Sequence, residues 1–160
     1  TKYLNAELIE KTIKTTHQEL TNRFSISKPN IWVAGLNPHA GEAGMIGDEE
    51  KKFIIPVIKN LGSKGYNLVG PISADTMFYR KKRLKFDAAI CMYHDQALIP
   101  IKTLDFHSSV NLTIGLSFIR TSPDHGTAFD ISGKNLANPT STIEAIKLAW
   151  KLAEKEKKDR

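Results

Sequence analysis

Ile31-Trp32-Val33-Ala34 is followed, after one residue, by Leu36-Asn37-Pro38-His39-Ala40-Gly41-Glu42-Ala43-Gly44. Four consecutive apolar residues read as a buried strand. The breakers that follow read as a loop at its exit. A strand buried along its whole length needs cover on both faces, and the flanks supply helices. Upstream, Asn5 can cap a helix reaching about Phe24, with Leu8, Ile9, Ile13, Thr16, Leu20 and Phe24 on one face. Ser25 to Pro29 breaks it. Downstream, a helix is expected from about Asp48, with Glu49 and Glu50 near its N-terminus. Phe53, Ile54, Val57, Ile58 and Leu61 form its apolar stripe, and Pro56 should kink it or begin a second segment.

The pattern repeats along the chain. Asn67 to Val69 reads as a strand ending at Gly70-Pro71. Ala88 to Tyr93 reads as another, ending at His94-Asp95-Gln96. Val110 to Leu116 is a further strand, with Phe118 to Thr121 as its continuation or neighbour. Pro139 opens a last helix whose inward face is expected to be Ile143, Ile146, Ala149, Trp150 and Ala153. Alternating strands and helices predict an α/β class, one sheet covered on both faces. Residues 1–160 read as a single α/β portion. No strand precedes the first helix, so the chain reads as beginning inside a larger fold.

Composition narrows the function classes. The 160 residues are 41% hydrophobic and 25% charged, a soluble globular balance. No apolar run is long enough to span a bilayer, so no membrane partner is expected. The N-terminus carries no signal-peptide core, and the one cysteine, Cys91, excludes both an internal disulfide and a Cys-based zinc site. A reducing, cytoplasmic setting is the expectation. The net charge of +6 is concentrated at Lys81, Lys82, Arg83 and Lys85 and at the C-terminal end. No nucleic-acid recognition motif accompanies it, so no nucleic-acid partner is expected.

The candidate chemistry sits at strand exits, where open α/β sheets place ligands. His39 and His94 leave two different strands, beside Glu42 and Asp95. Such a pair suits a metal, and each histidine alone suits a hydrogen-bonding loop. There is no HExxH motif. Asp75 reads first as a helix cap and second as an acceptor that orients an imidazole. Lys102, Asn111 and Arg120 form a spaced polar set. Arg120 could hold a phosphate or carboxylate, or an internal ion pair, from the interior or a cleft. The loop from Ser122 through His125, Gly126, Thr127 and Asp130 to Asn138 lies before a helix, where backbone donors can meet anions. It could equally be a plain connection. His17 and His107 read as surface or packing residues.

Taken together these segments resemble a known family. They are Asn37-Pro38-His39-Ala40-Gly41-Glu42, Ala74-Asp75-Thr76, Met92-Tyr93-His94-Asp95-Gln96, Val110-Asn111, Phe118-Ile119-Arg120-Thr121-Ser122 and Asp124-His125-Gly126-Thr127-Ala128. Their order and spacing are similar to those of the 4-hydroxythreonine-4-phosphate dehydrogenases of pyridoxal 5'-phosphate (vitamin B6) biosynthesis. His125 to Lys134, with Ala137-Asn138-Pro139, also resembles the cofactor loop of the isocitrate and isopropylmalate dehydrogenases. The match runs from about residue 30 to 140. The family's members are about twice as long, so a C-terminal portion is expected. Ser117, Pro123 and the Met45-Ile46-Gly47 segment depart from the family's commoner residues.

The resemblance implies an isocitrate/isopropylmalate dehydrogenase-like subunit of two α/β lobes, working as a homodimer with its active site at the subunit interface. It implies a divalent metal (zinc, magnesium or cobalt) on three histidines, one of them contributed by the other subunit; His39 and His94 match two of the three, on opposite subunits, and the third lies upstream of Thr1. It implies NAD or NADP as cofactor, at His125, Gly126, Thr127, Asp130 and Asn138. Lys102, Asn111 and Arg120 match substrate-binding positions, and Asp75 and Asp95 match supporting ones. The implied reaction is oxidation and decarboxylation of a small phosphorylated substrate, 4-phosphooxy-L-threonine. Two alternatives remain: a dehydrogenase of another four-carbon phosphorylated hydroxy acid, or an inactive dimerisation fragment.

Overall fold

The computed structural model describes residues 3–158. The chain divides into two compact units, 1–100 and 101–160, where the sequence reading treats it as a single portion.

In the first unit, helix α1 (Ala6–Phe24) begins where Asn5 accepts the Leu8 N–H at 2.8 Å. A cap of this kind contributes about 1 kcal/mol. Ser25 ends the helix in a left-handed conformation and returns its N–H to the Leu20 carbonyl. Strand β1 (Asn30–Ala34) is the middle of a three-stranded parallel sheet in the order β2-β1-β3. Strand β2 (Asn67–Ile72) runs through Gly70-Pro71, a cis peptide, instead of ending there. Its pairing with β1 shifts register between Trp32–Val69 and Ala34–Ile72. Strand β3 (Ala88–Ile90) is half the expected length, and His94 opens a helix instead of closing a strand.

Pro56 begins the second segment of its helix, as one of the two expectations had it. A wider π turn covers Glu50–Ile54, and helix α2 covers Ile55–Ser63 with Pro56 in its first turn. Proline lacks the N–H that an inner helical position would use, so it sits where none is needed. Ile9, Ile13, Ile31, Val33, Ile54, Val57, Leu61 and Ile90 form one core of α1, α2 and the sheet. Each fully buried Ile or Leu stabilises the unit by about 1.5–3 kcal/mol. Trp32, Ala34 and Met77 form a second cluster with Phe78 and Phe86. It seats the short helix α3 (Ala74–Met77) through Ala74 and Met77, and the basic helix α4 (Arg80–Arg83) follows.

Helix α5 (His94–Leu104) carries the boundary between the units and contains Pro100. The second unit corrects two expectations. Its strands, β4 (Val110–Thr113) and β5 (Arg120–Pro123), form a separate two-stranded antiparallel sheet instead of joining the one sheet expected. Helix α6 (Thr140–Lys158) packs on that pair with Ser141, Ala145 and Leu152 buried. Ile143, Ile146 and Trp150, expected to face inward, are 45%, 65% and 70% exposed. The small Ser141 and Ala145 let the helix approach β5 closely: Ser141 donates to the Ser109 carbonyl, and Thr121 donates to the Ala145 carbonyl. Among the described residues no helix is long and apolar enough to cross a membrane.

Candidate functional site

The loop that leaves β1 turns in the left-handed sense. His39, Ala40, Gly41, Glu42 and Ala43 all have positive φ, between 41° and 80°, and Gly44 follows at 92°. Four of the six carry a Cβ, and each such residue costs about 1–2 kcal/mol in this region. Strain of this kind persists only where the surroundings impose it. Here Glu50 imposes it. Its side chain, 2% exposed, accepts the Asn37 N–H at 2.8 Å and the Asn37 amide at 2.9 Å. Asn37 also donates to Glu49 at 2.7 Å. Glycine makes the space. A Cβ on Gly41 would stand 2.6 Å from Glu50 Oε2, and one on Gly47 would stand 2.5 Å from the Asn37 amide nitrogen.

The turn presents His39 outward, with 63% of its side chain exposed. Its Nδ1 lies 2.5 Å from Glu42 Oε1. That bond, followed by the charge of Glu42, raises the imidazole's pKa above its ordinary value; burial opposes them, and the charge of Asp75 adds a lesser upward push. Asp75 is in the first turn of α3, which packs beside the His39 turn. The cap position belongs to Ser73, which donates to Asp75 at 2.6 Å and holds its carboxyl below the usual range. The acceptor on the His39 ring is therefore Glu42, and Asp75 acts on it through space.

His94 repeats the arrangement at the exit of β3. It is 77% exposed, and its Nδ1 lies 2.9 Å from Asp95 Oδ1. A carboxylate on Nδ1 fixes the neutral tautomer whose bare nitrogen is Nε2. In kind, this donor chemistry fits a divalent cation. In number it is short, because among the described residues no group of three or more His, Cys, Asp or Glu is placed to hold one ion. Cys91, three residues before His94, is no donor either. Burial pushes its thiol up to about 11. Iodoacetamide at pH 8 should alkylate Cys91 far more slowly than a free thiol of ordinary pKa, with the rate rising only as pH passes 10. Rapid labelling at pH 8 would overturn this.

In the second unit, Lys102 is half-buried. Its ammonium contacts the Asp124 carbonyl and lies 3.0 Å from the Asp124 carboxylate. Ser109 donates to the same carboxylate, and Ser141 Oγ accepts the Asp124 N–H. Arg120 is exposed at the start of β5 and donates to Thr113 at 2.7 Å, so it does not lie in the interior, and among the described residues it forms no ion pair. Asn111 is exposed on β4, opposite Ser122. His125, Gly126 and Thr127 form an exposed loop, with His125 Nδ1 at 3.1 Å from the Gly126 carbonyl. Asp130 is exposed in a 3-10 turn over Phe129–Ile131. Asn138 holds the start of α6, its Oδ1 accepting both the N–H and the hydroxyl of Thr140. His17 packs edge-on against Tyr66, and His107 is exposed beside Phe106.

Sequence reasoning placed Glu50 at a helix N-terminus and overlooked Asn37 and Asp124 as structural partners. The cue for Glu50 was the glycine at 41, which a buried side chain opposite would require.

The family described as pyridoxal phosphate biosynthetic protein PdxA matches residues 1–149. The chain belongs to that family. A relative named 4-hydroxythreonine-4-phosphate dehydrogenase, from Roseobacter denitrificans, is 61% identical over 95% of this chain and 47% of its own length. The crystal structure of the protein of that name from Klebsiella pneumoniae has a TM-score of 0.83 and 43% identity, over 95% of this chain and 46% of that one. A terephthalate 1,2-cis-dihydrodiol dehydrogenase from Burkholderia xenovorans reaches a TM-score of 0.71 at 34% identity, over 91% of this chain and 46% of that one. The chain thus spans about half the length of the relatives it matches, and its own fold is a mix of helix and sheet, of the α/β class.

Proposed function

We propose that the protein to which this chain belongs oxidises 4-phosphooxy-L-threonine with NAD or NADP. The secondary alcohol gives up a hydride to the nicotinamide and a proton to solvent. The resulting β-keto acid loses carbon dioxide, and protonation of the enolate gives 3-amino-2-oxopropyl phosphate. Family membership supports this reading. The observation that carries it is the pair of carboxylate-backed imidazoles, His39 and His94, at neighbouring strand exits.

Each residue has a physical task. A divalent cation held by His39 and His94 contributed from opposite subunits of the dimer would supply Lewis acidity toward the alcohol and keto oxygens. Glu42 and Asp95 hold the two rings in the tautomer that leaves Nε2 bare. Lys102 and Arg120 can neutralise substrate carboxylate and phosphate, and Asn111 can donate to either. For Lys102 this means exchanging the Asp124 carboxylate for the substrate's. Asp130 can accept from ribose hydroxyls, and the nicotinamide receives the hydride. The working enzyme, on this reading, is a homodimer of two-lobed subunits like the isocitrate and isopropylmalate dehydrogenases, with the active site at the subunit interface.

The full-length protein, given 4-phosphooxy-L-threonine, should form NADH and release carbon dioxide in equal amounts. A panel of other four-carbon phosphorylated hydroxy acids tests the second reading. The likeness to a dihydrodiol dehydrogenase shows that this fold is shared with proteins named for another substrate. Turnover of a panel member alone would replace the first reading with the second. Sedimentation at tens of micromolar tests the homodimer.

The 160-residue chain alone should show no turnover, since a catalytic zinc ordinarily has three protein ligands and among the described residues no group of three is placed to hold one. It should also bind NAD weakly, because His125, Gly126, Thr127 and Asp130 form an exposed loop, whereas tight sites enclose most of their ligand. Calorimetry showing a micromolar Kd for NAD would overturn that expectation.

A further inference from the structure

Lys102 and Asp124 form an ion pair largely withdrawn from solvent. Their side chains are 26% and 15% exposed, and the ammonium lies 3.0 Å from the carboxylate. The same ammonium contacts the Asp124 carbonyl, and the Phe106 ring centroid lies 5.1 Å away. An ammonium has three N–H groups. Asp124 offers acceptors to two of them, so an incoming anion meets a lysine that already has its counter-charge.

Asp124 is held in place by the fold. Ser109, just before β4, donates to its carboxylate at 3.0 Å. Its N–H donates to Ser141 Oγ at 2.9 Å, and Ser141 donates in turn to the Ser109 carbonyl at 2.7 Å. Ser141 is 5% exposed. The three residues close a ring between the start of β4, the exit of β5 and the first turn of α6. The partner able to swing away is therefore the long lysine side chain. A carboxylate fixed beside its partner competes as though present at a very high concentration. An anion that takes Lys102 must displace it and then sit within reach of its charge.

We propose that Asp124 is a specificity-determining residue that guards Lys102 against small free anions. Inorganic phosphate has no second anchor with which to offset the loss of the ion pair. A ligand held elsewhere as well can displace the carboxylate, because its remaining contacts make up the difference. The proposal rests on the reading that Lys102 meets a substrate anion, and it deepens that reading by naming what Lys102 turns away.

The probe is inorganic phosphate, titrated at fixed pH and ionic strength into the 160-residue chain and its variants, each shown folded by circular dichroism. Amide NMR signals of residues 102, 109 and 124–126 report binding. Asp124→Asn has the same shape and can still accept from Ser109, so it removes the charge and keeps the ring. Its phosphate affinity should rise about 10-fold, the worth of a charge-assisted hydrogen bond. Asp124→Glu keeps the charge and should bind phosphate as weakly as the wild type. In a Lys102→Gln background the gain from Asp124→Asn should vanish. An equal gain with and without Lys102 would mean that the charge repels any anion at long range, and would overturn the proposal. So would an Asp124→Asn affinity no higher than wild type, or a gain of the same size in Asp124→Glu.

Turnover separates this proposal from the reading beneath it. In the full-length protein, Lys102→Gln should raise KM for 4-phosphooxy-L-threonine. An unchanged KM would refute the substrate role of Lys102 alone, and the phosphate titration would still decide whether Asp124 guards it.

Discussion

Zinc bound by the 160-residue chain is expected to disappear in His39→Ala and in His94→Ala alike. Two imidazoles with water in the remaining positions make a weaker site than three protein ligands, so the wild-type occupancy should itself be partial. Each ring reaches the solvent with Nε2 free of its carboxylate partner, His39 through Glu42 and His94 through Asp95. Removing either ring leaves one donor. The loss should therefore exceed the about 10–100-fold that follows removal of an orienting group behind a ligand. Glu42→Gln supplies that lesser case, and it should weaken zinc without abolishing it. In the full-length protein the two alanine variants should reduce NADH formation at least as severely. Metal analysis after dialysis is the measurement. Wild-type zinc content in both alanine variants would return these histidines to the role of hydrogen-bonding loop residues.

The second large effect concerns stability. Gly70→Ala should destabilise the first unit by about 3–5 kcal/mol, combining backbone strain with overpacking. Gly70 has φ 151°, and a Cβ there would stand 2.5 Å from the Val33 carbonyl oxygen and 3.1 Å from Val33 Cβ. Val33 is fully buried on the middle strand, so it has nowhere to retreat. The contact falls where β1 and β2 change register, two residues before Ile72, whose carbonyl holds Gly35. The damage should reach the His39 turn as well. Urea unfolding measures it, and a midpoint within experimental error of wild type would contradict this account of the register shift.

What the sequence made legible depended on whether its signal was local. Asn5, the Ile31–Ala34 run and Pro56 each act on their own backbone, and each does what its chemistry predicts. The candidate histidines were legible for the same reason, because a polar residue after a buried strand must emerge at its end. The inward face of α6 was not. Periodicity finds an apolar stripe, but it cannot say which stripe has a partner within this chain; close packing on β5 selected Ser141 and Ala145 over Ile143 and Trp150. The antiparallel pairing of β4 and β5 was equally hidden, because strands of four residues look alike whichever direction their neighbour runs. Glu50 escaped because an acidic residue near a helix start has an ordinary explanation, and only the fold shows that it is buried against Asn37.

The left-handed turn over residues 39–44 has a consequence for chemical synthesis. A left-handed helical turn is the mirror image of the common one, so D-amino acids occupy it without the clash that L-residues suffer. Ala40 and Ala43, at φ 53° and 55°, are two L-residues of the turn whose side chains are only a methyl group. A protein assembled by ligation with D-alanine at both positions would keep the backbone path and release part of the strain, about 1–2 kcal/mol for each. Inverting chirality ordinarily breaks a folded chain. At these two positions it would strengthen the frame that presents His39.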